Sequence, residues 1–135
     1  MARILFADDK IAILDALVDL LKENGHEVRT APDAVKFFSH IQESGEFDLL
    51  ILDYSFGRGN PTGVELLATL RKQETRRGKT TPAIIFSCES ADVIGAECRM
   101  CGINENVVIC DKDIRSLLAC VDRLVSGTRW EGKHD

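Results

Sequence analysis

The chain has 135 residues, 44% of them hydrophobic and 29% charged, with a formal net charge of −5, a balance that suits one globular domain with a single core. The acidic balance argues against direct nucleic-acid binding by this domain, and no apolar run approaches the length of about 18 residues that a membrane span needs. Met1-Ala2-Arg3 shows no signal-peptide pattern, and the five cysteines (Cys88, Cys98, Cys101, Cys110 and Cys120), odd in number and mostly in apolar segments, fit reduced thiols in the cytoplasm better than a disulfide framework.

In chain order, Arg3-Ile4-Leu5-Phe6-Ala7 is a short apolar run that predicts a first strand, ending in Asp8-Asp9. Ile11, Leu14, Leu17, Val18 and Leu21 follow helical spacing, and Gly25 stops that helix. Glu27 to Ala31 alternates as a half-buried strand does. Asp33 is placed to cap a helix carrying Val35, Phe38 and Ile41, with Phe37 and Phe38 at the core and its margin. Leu49-Leu50-Ile51-Leu52 is an apolar run closed by Asp53, the pattern of a strand buried on both faces of a parallel sheet. Loop-formers from Tyr54 to Gly63 follow it. Gly63 to Lys72 predicts a helix with Val64, Leu67 and Leu70 inward. Pro82 to Ser87 is a fourth apolar run, residues 90–101 predict a weak helix interrupted by Gly95, and Val107 to Cys110 is a fifth run leading to Asp111-Lys112. Ile114, Leu117, Leu118, Val121 and Leu124 mark a last amphipathic helix. Residues 126–135 read as a polar C-terminal tail or the start of a linker.

Strand and helix thus alternate five times, which predicts an α/β fold with a parallel sheet and helices on both faces. Such sheets bind ligands at the carboxyl ends of their strands. Asp8, Asp9, Asp53, Ser87 and Lys112 all fall at such ends. Three carboxylates brought together repel one another and favour a hard cation. Mg²⁺ suits them because it takes one or two carboxylates, keeps several waters and leaves room for phosphate oxygens. Lys112 supplies a compact positive charge and Ser87 a hydroxyl donor. Such a group of side chains stabilises phosphoryl transfer to a carboxylate by positioning and charge neutralisation.

On Asp8-Asp9, Asp53, Ser87 and Lys112, in order and each at a strand end, the chain resembles a response-regulator receiver domain, from about Arg3 to Val125. The resemblance implies a flavodoxin-like (βα)5 doubly wound sandwich with strand order 2-1-3-4-5, occupying residues 1–125. It implies a switch of a two-component phosphorelay in which Asp53 accepts a phosphoryl group from a histidine kinase or phosphotransfer protein. Asp8, Asp9, Asp53 and the backbone carbonyl of Ser55 would hold Mg²⁺, with Mn²⁺ as an alternative ion. Ser87 and Lys112 would contact the phosphoryl group and pass its presence to a downstream protein or output domain. The chain would modify only itself, with no separate substrate, in the cytoplasm, and a homodimer through the fourth and fifth helices is compatible with the family.

Three departures from the family pattern stand out. Asp113 replaces the proline that usually follows the lysine, often across a cis bond; a cis bond before a non-proline residue costs about 3 kcal/mol, so the bond is either trans with a reshaped loop or strained. Asp113 is also placed to cap the last helix. The loop after Asp53 is about two residues longer than usual for the family, with Gly57 and Gly59 in it. Ile109 stands where the family has a switch aromatic, and Glu89 and Ser55 stand at positions that tune dephosphorylation. These departures motivate an alternative, a degenerate receiver that works as a phosphorylation-independent interaction module. A hydrolase of the haloacid-dehalogenase type fits less well, because it needs a second Asp two residues past the nucleophile, where this chain has Ser55. Asp8-Asp9 alone would read as a helix cap, Cys98-Arg99-Met100-Cys101 as packing thiols rather than a zinc half-site, and Arg71, Lys72, Arg76, Arg77 and Lys79 as a solvated basic face.

Overall fold

A computed structural model describes residues 2–75, 78 and 80–134, with the side chains at 11–14, 44, 75 and 126–134 outside the description. Arg76, Arg77 and Lys79 of the basic cluster lie outside the described residues. Ten elements alternate: β1 (Arg3–Ala7), α1 (Ile11–Glu23), β2 (Glu27–Ala31), α2 (Ala34–Ser44), β3 (Leu49–Asp53), α3 (Gly63–Thr75), β4 (Ala83–Ser87), α4 (Ala91–Met100), β5 (Val107–Asp111) and α5 (Ile114–His134). The strands form one parallel sheet in the order β2-β1-β3-β4-β5, the order expected from the sequence.

The core has two layers because side chains alternate across a strand. Leu50 and Leu52 of β3 join Leu5, Ile85, Phe37, Val64, Leu67, Leu70 and Ile94 in one cluster. Leu49 and Ile51 point the other way, to Ile4, Phe6, Ile84, Leu17, Leu21, Leu117 and Val121. Every residue of β3 and β4 is buried, as the uninterrupted apolar runs require.

Local signals account for most helix ends. Asp33 accepts the Lys36 amide at 2.8 Å and starts α2. Ser90 does the same for α4 through Val93 at 3.3 Å. After α1, Gly25 takes a left-handed conformation (φ 89°), and the Gly25 and His26 amides return to the carbonyls of Lys22 and Leu21, closing the helix end.

Two sequence expectations change. The inward face of α2 is Ala34, Phe37, Phe38 and Ile41, at i, i+3, i+4 and i+7, which turns Val35 outward to 81% exposure. The α4 helix is not interrupted at Gly95 but runs through it. A Cβ there would make only ordinary contacts, 3.9 Å from Ile109 Cδ1 and 3.5 Å from the Arg99 guanidinium, so the packing of α4 on β5 does not require a glycine at this position.

Candidate functional site

Four strands deliver their last or following residues to one edge of the sheet. At the end of β1 the Asp8 amide extends the pairing to β2 by donating to the Ala31 carbonyl at 3.0 Å. This turns the Asp8 side chain inward, fully buried, while Asp9 is exposed. Asp53 closes β3 opposite Phe86 of β4 and is 1% exposed. Ser87, also buried, closes β4 opposite Asp111 of β5, and Lys112 follows. One carboxylate oxygen from each of Asp8, Asp9 and Asp53 lies within 4.8 Å of the others.

This centre is electrostatically incomplete. Lys112 Nζ stands 2.8 Å from Asp53 Oδ1 and 5.7 Å from the centre of the Phe86 ring. Burial works against the Lys112 ammonium, but the adjacent Asp53 carboxylate, with Asp8 behind it, more than offsets that and holds its pKa above the ordinary value. Asp8 Oδ1 accepts the Lys10 amide at 2.8 Å. Its Oδ2 and Asp53 Oδ2 are buried without any partner among the described residues, and Asp53 Oδ1 has only the Lys112 ammonium. Buried carboxylates are costly unless paired and hydrogen-bonded. Burial, opposed by the Lys10 amide and reinforced by the Asp53 charge, pushes Asp8 from 3.8 up to about 6. Three clustered carboxylates with orphaned oxygens on an open edge match the oxygen donors a Mg²⁺ or Mn²⁺ ion takes.

The remaining residues singled out in the sequence fall around this centre. Ser55 lies two residues past Asp53, exposed in the loop. Ser87 Oγ accepts the Glu89 amide at 2.8 Å, and the Glu89 side chain is exposed. Ile109 is half-buried beneath Gly95. The described residues contain no cis peptide bond, so Lys112–Asp113 is trans, and Asp113 caps α5 by accepting the Ser116 amide and hydroxyl at 3.0 Å. Cys98 is buried while Cys101 faces solvent, and Cys88 is exposed.

Sequence reading overlooked the frame that holds the loop after Asp53. Gly63 donates to the Tyr54 carbonyl at 2.8 Å. A Cβ on Gly63 would fall 2.3 Å from the Asp53 carbonyl oxygen, so only glycine lets α3 start this close to β3. Thr62 caps α3, taking the Glu65 amide at 3.1 Å while its own amide donates to Glu65 at 2.8 Å. That is a capping box, and its T-x-x-E spacing is readable in the sequence. Within the loop, Phe56 is buried and its carbonyl accepts from the Asn60 side chain at 2.8 Å. On α4, Glu97 accepts the Tyr54 hydroxyl at 2.5 Å and the Thr62 hydroxyl at 2.8 Å. The Glu97 carboxylate, bonded to the phenol, pushes Tyr54 up to about 12. Nothing in the sequence pairs Glu97 with residues this far away.

The sequence pattern of the family described as "Response regulator receiver domain" matches residues 4–117. Among solved structures, the Vibrio cholerae chemotaxis protein CheY4 shares 26% identity and a TM-score of 0.76, over 92% of this chain and 98% of that one. The Francisella response regulator 1452 receiver domain shares 25% identity and a TM-score of 0.75, over 95% and 99%. Thermotoga maritima TrrA, solved in complex with Mg²⁺-BeF, shares 25% identity and a TM-score of 0.70, over 92% and 99%. No curated protein matches the sequence.

Proposed function

The chain belongs to the response regulator receiver domain family, and from that premise we propose that it is a phosphorylation-dependent switch whose phosphoacceptor is Asp53. The observation that carries this reading is the buried Asp53 carboxylate, whose one partner is the Lys112 ammonium and whose Oδ2 has none, beside the Asp8–Asp9 pair. A structural carboxylate would be satisfied by donors. A nucleophile is kept short of them.

In this reading Asp8, Asp9, Asp53 and the Ser55 carbonyl hold Mg²⁺, as the orphaned oxygens favour. The ion supplies charge neutralisation for phosphate oxygens. An Asp53 oxygen attacks the phosphorus of a phosphohistidine on a histidine kinase or phosphotransfer protein. An acyl phosphate forms, the P–N bond breaks, and the departing imidazole keeps the electron pair and takes a proton from solvent. Lys112 then exchanges its carboxylate partner for a phosphoryl oxygen, and the Ser87 hydroxyl donates to another. The Mg²⁺-BeF complex of TrrA supports the same occupancy here. The chain acts on itself and passes the signal to a downstream protein or output domain. Five free thiols fit a cytoplasmic setting, and among the described residues no helix is long and apolar enough to cross a membrane.

The test is incubation with Mg²⁺ and acetyl phosphate, read by intact mass. Wild type gains one phosphoryl group, the gain disappears with a chelator, and Asp53→Asn gains none. Equal incorporation in Asp53→Asn would end this reading and return the chain to the phosphorylation-independent alternative.

A further inference from the structure

The family's strand aromatic is replaced by Ile109, an aliphatic side chain set under Gly95 of α4. A signal from Asp53 therefore lacks the rotating ring that would carry it toward the helices. A different connection is present. Tyr54 is joined directly to Asp53, and Thr62 closes the same loop and starts α3. Both hydroxyls converge on one carboxylate, Glu97 in the second half of α4, at 2.5 and 2.8 Å. The bonds cross 43 and 35 positions of sequence, and both are partly buried, where a charge-assisted bond is stronger than in water.

We infer that Glu97 is a positioning residue that holds the loop after Asp53 in place and links the state of Asp53 to the second half of α4; the inference rests on the phosphorylation reading above. A loop pinned at both ends keeps the backbone around Ser55 in one place, so less order is lost when phosphate and cation bind. Linkage makes the effect reciprocal. If the Glu97 bonds favour the occupied site, occupation of the site acts on α4 through the same bonds. A second route enters α4 only at its start, where Ser87 holds the Glu89 amide and Ser90 caps the helix. The two routes therefore separate by position. Residues 89–93 report the Ser87 route, and residues 96–102 report the Glu97 route.

The experiment is a titration of the isotope-labelled full chain with Mg²⁺ and beryllofluoride, followed by amide NMR, in wild type, Glu97→Ala, Glu97→Gln and Tyr54→Phe. Wild type is expected to shift at 85–89, at 110–113 and at 96–102. In Glu97→Ala the first two groups still shift, the response at 96–102 collapses, and affinity falls by about fivefold, the low end of coupling between linked sites. Tyr54→Phe, which removes one hydroxyl and keeps the ring, gives an intermediate loss even if Glu97→Ala proves too unstable to study. Glu97→Gln keeps an acceptor oxygen and recovers most of the response. Wild-type affinity and wild-type shifts at 96–102 in both Glu97→Ala and Tyr54→Phe would overturn the link while leaving phosphorylation intact. A wild type that takes up neither beryllofluoride nor phosphate overturns the phosphorylation reading, and this inference with it.

Discussion

Two buried carboxylate centres lie near opposite ends of the sheet, and they are built in opposite ways. Near the amino end of β4, Glu74 of α3 is 9% exposed. It accepts the Thr81 amide at 2.9 Å and the Thr81 hydroxyl at 2.5 Å, and it pairs with Arg71 at 2.8 Å. Arg71 in turn donates to the carbonyls of Thr81 and Asn106. This carboxylate ties the end of α3 to the starts of β4 and β5. At the carboxyl end, Asp8 and Asp53 are more deeply buried; one oxygen of each has no partner, and Asp53 meets no donor but the Lys112 ammonium among the described residues. Burial alone does not distinguish a structural acid from a working one. The supply of donors does, because a satisfied carboxylate stabilises the fold and an orphaned one holds binding energy in reserve for a cation or a phosphoryl group.

Substitutions should separate the two centres. The largest effect on stability is expected from Glu74→Ala, which takes the buried carboxylate away from the Thr81 amide and hydroxyl and from the Arg71 guanidinium. Breaking a buried pair from one side costs about 3–5 kcal/mol, and chemical denaturation should show that loss while the folded fraction binds beryllofluoride with wild-type affinity. A change in that affinity would mean that the two ends are coupled. Next comes Gly63→Ala. Its methyl group meets the Asp53 carbonyl, and overpacking costs about 1–3 kcal/mol, measured in the same way. Here binding should weaken as well, because the strain is applied at Asp53 itself.

Asp8→Asn is expected to act in the opposite direction. Asp8 has a folded pKa of about 6 against 3.8 for the ordinary group. Between those values the folded state holds a proton that the unfolded state has released, so this group's contribution falls as pH rises from about 4 to about 6 and the full penalty applies above that. The asparagine variant keeps the bond from the Lys10 amide and removes the charge. It should gain on the order of 1–2 kcal/mol at pH 7 and lose cation affinity. The difference in melting temperature between variant and wild type should vanish near pH 4. The smallest effect is that of the ion itself. Mg²⁺ at about ten times its Kd should add about 1.4 kcal/mol to wild type at pH 7, and much less to Asp8→Asn. Stabilisation of Glu74→Ala by the same increment would confirm that the two centres are independent.

Much of this molecule was legible from local chemistry. Four residues at strand ends, Asp8, Asp53, Ser87 and Lys112, could be placed together because a parallel sheet aligns the carboxyl ends of its strands, whatever the loops do. Asp33 and Gly25 marked helix ends through bonds that close within a few residues. The face of α2 was harder. Val35 and Phe37 are both apolar, and only the packing of Phe37 beneath the sheet decided which of them turns inward. Gly95 looked like a helix breaker because its cost of about 1 kcal/mol is local, whereas the burial of Ile94 and Cys98 on either side of it, which keeps α4 continuous, comes from other elements.

The sequence by itself determined the order of elements, the two-layered core and the identity of the acidic centre, since periodicity and strand-end chemistry are written in neighbouring residues. The tertiary structure decided which oxygens stay without donors, that Lys112 pairs with Asp53, and that Glu97 reaches across to Tyr54 and Thr62. Those facts depend on distances between side chains far apart in the chain, and such distances exist only once the sheet has brought its elements together.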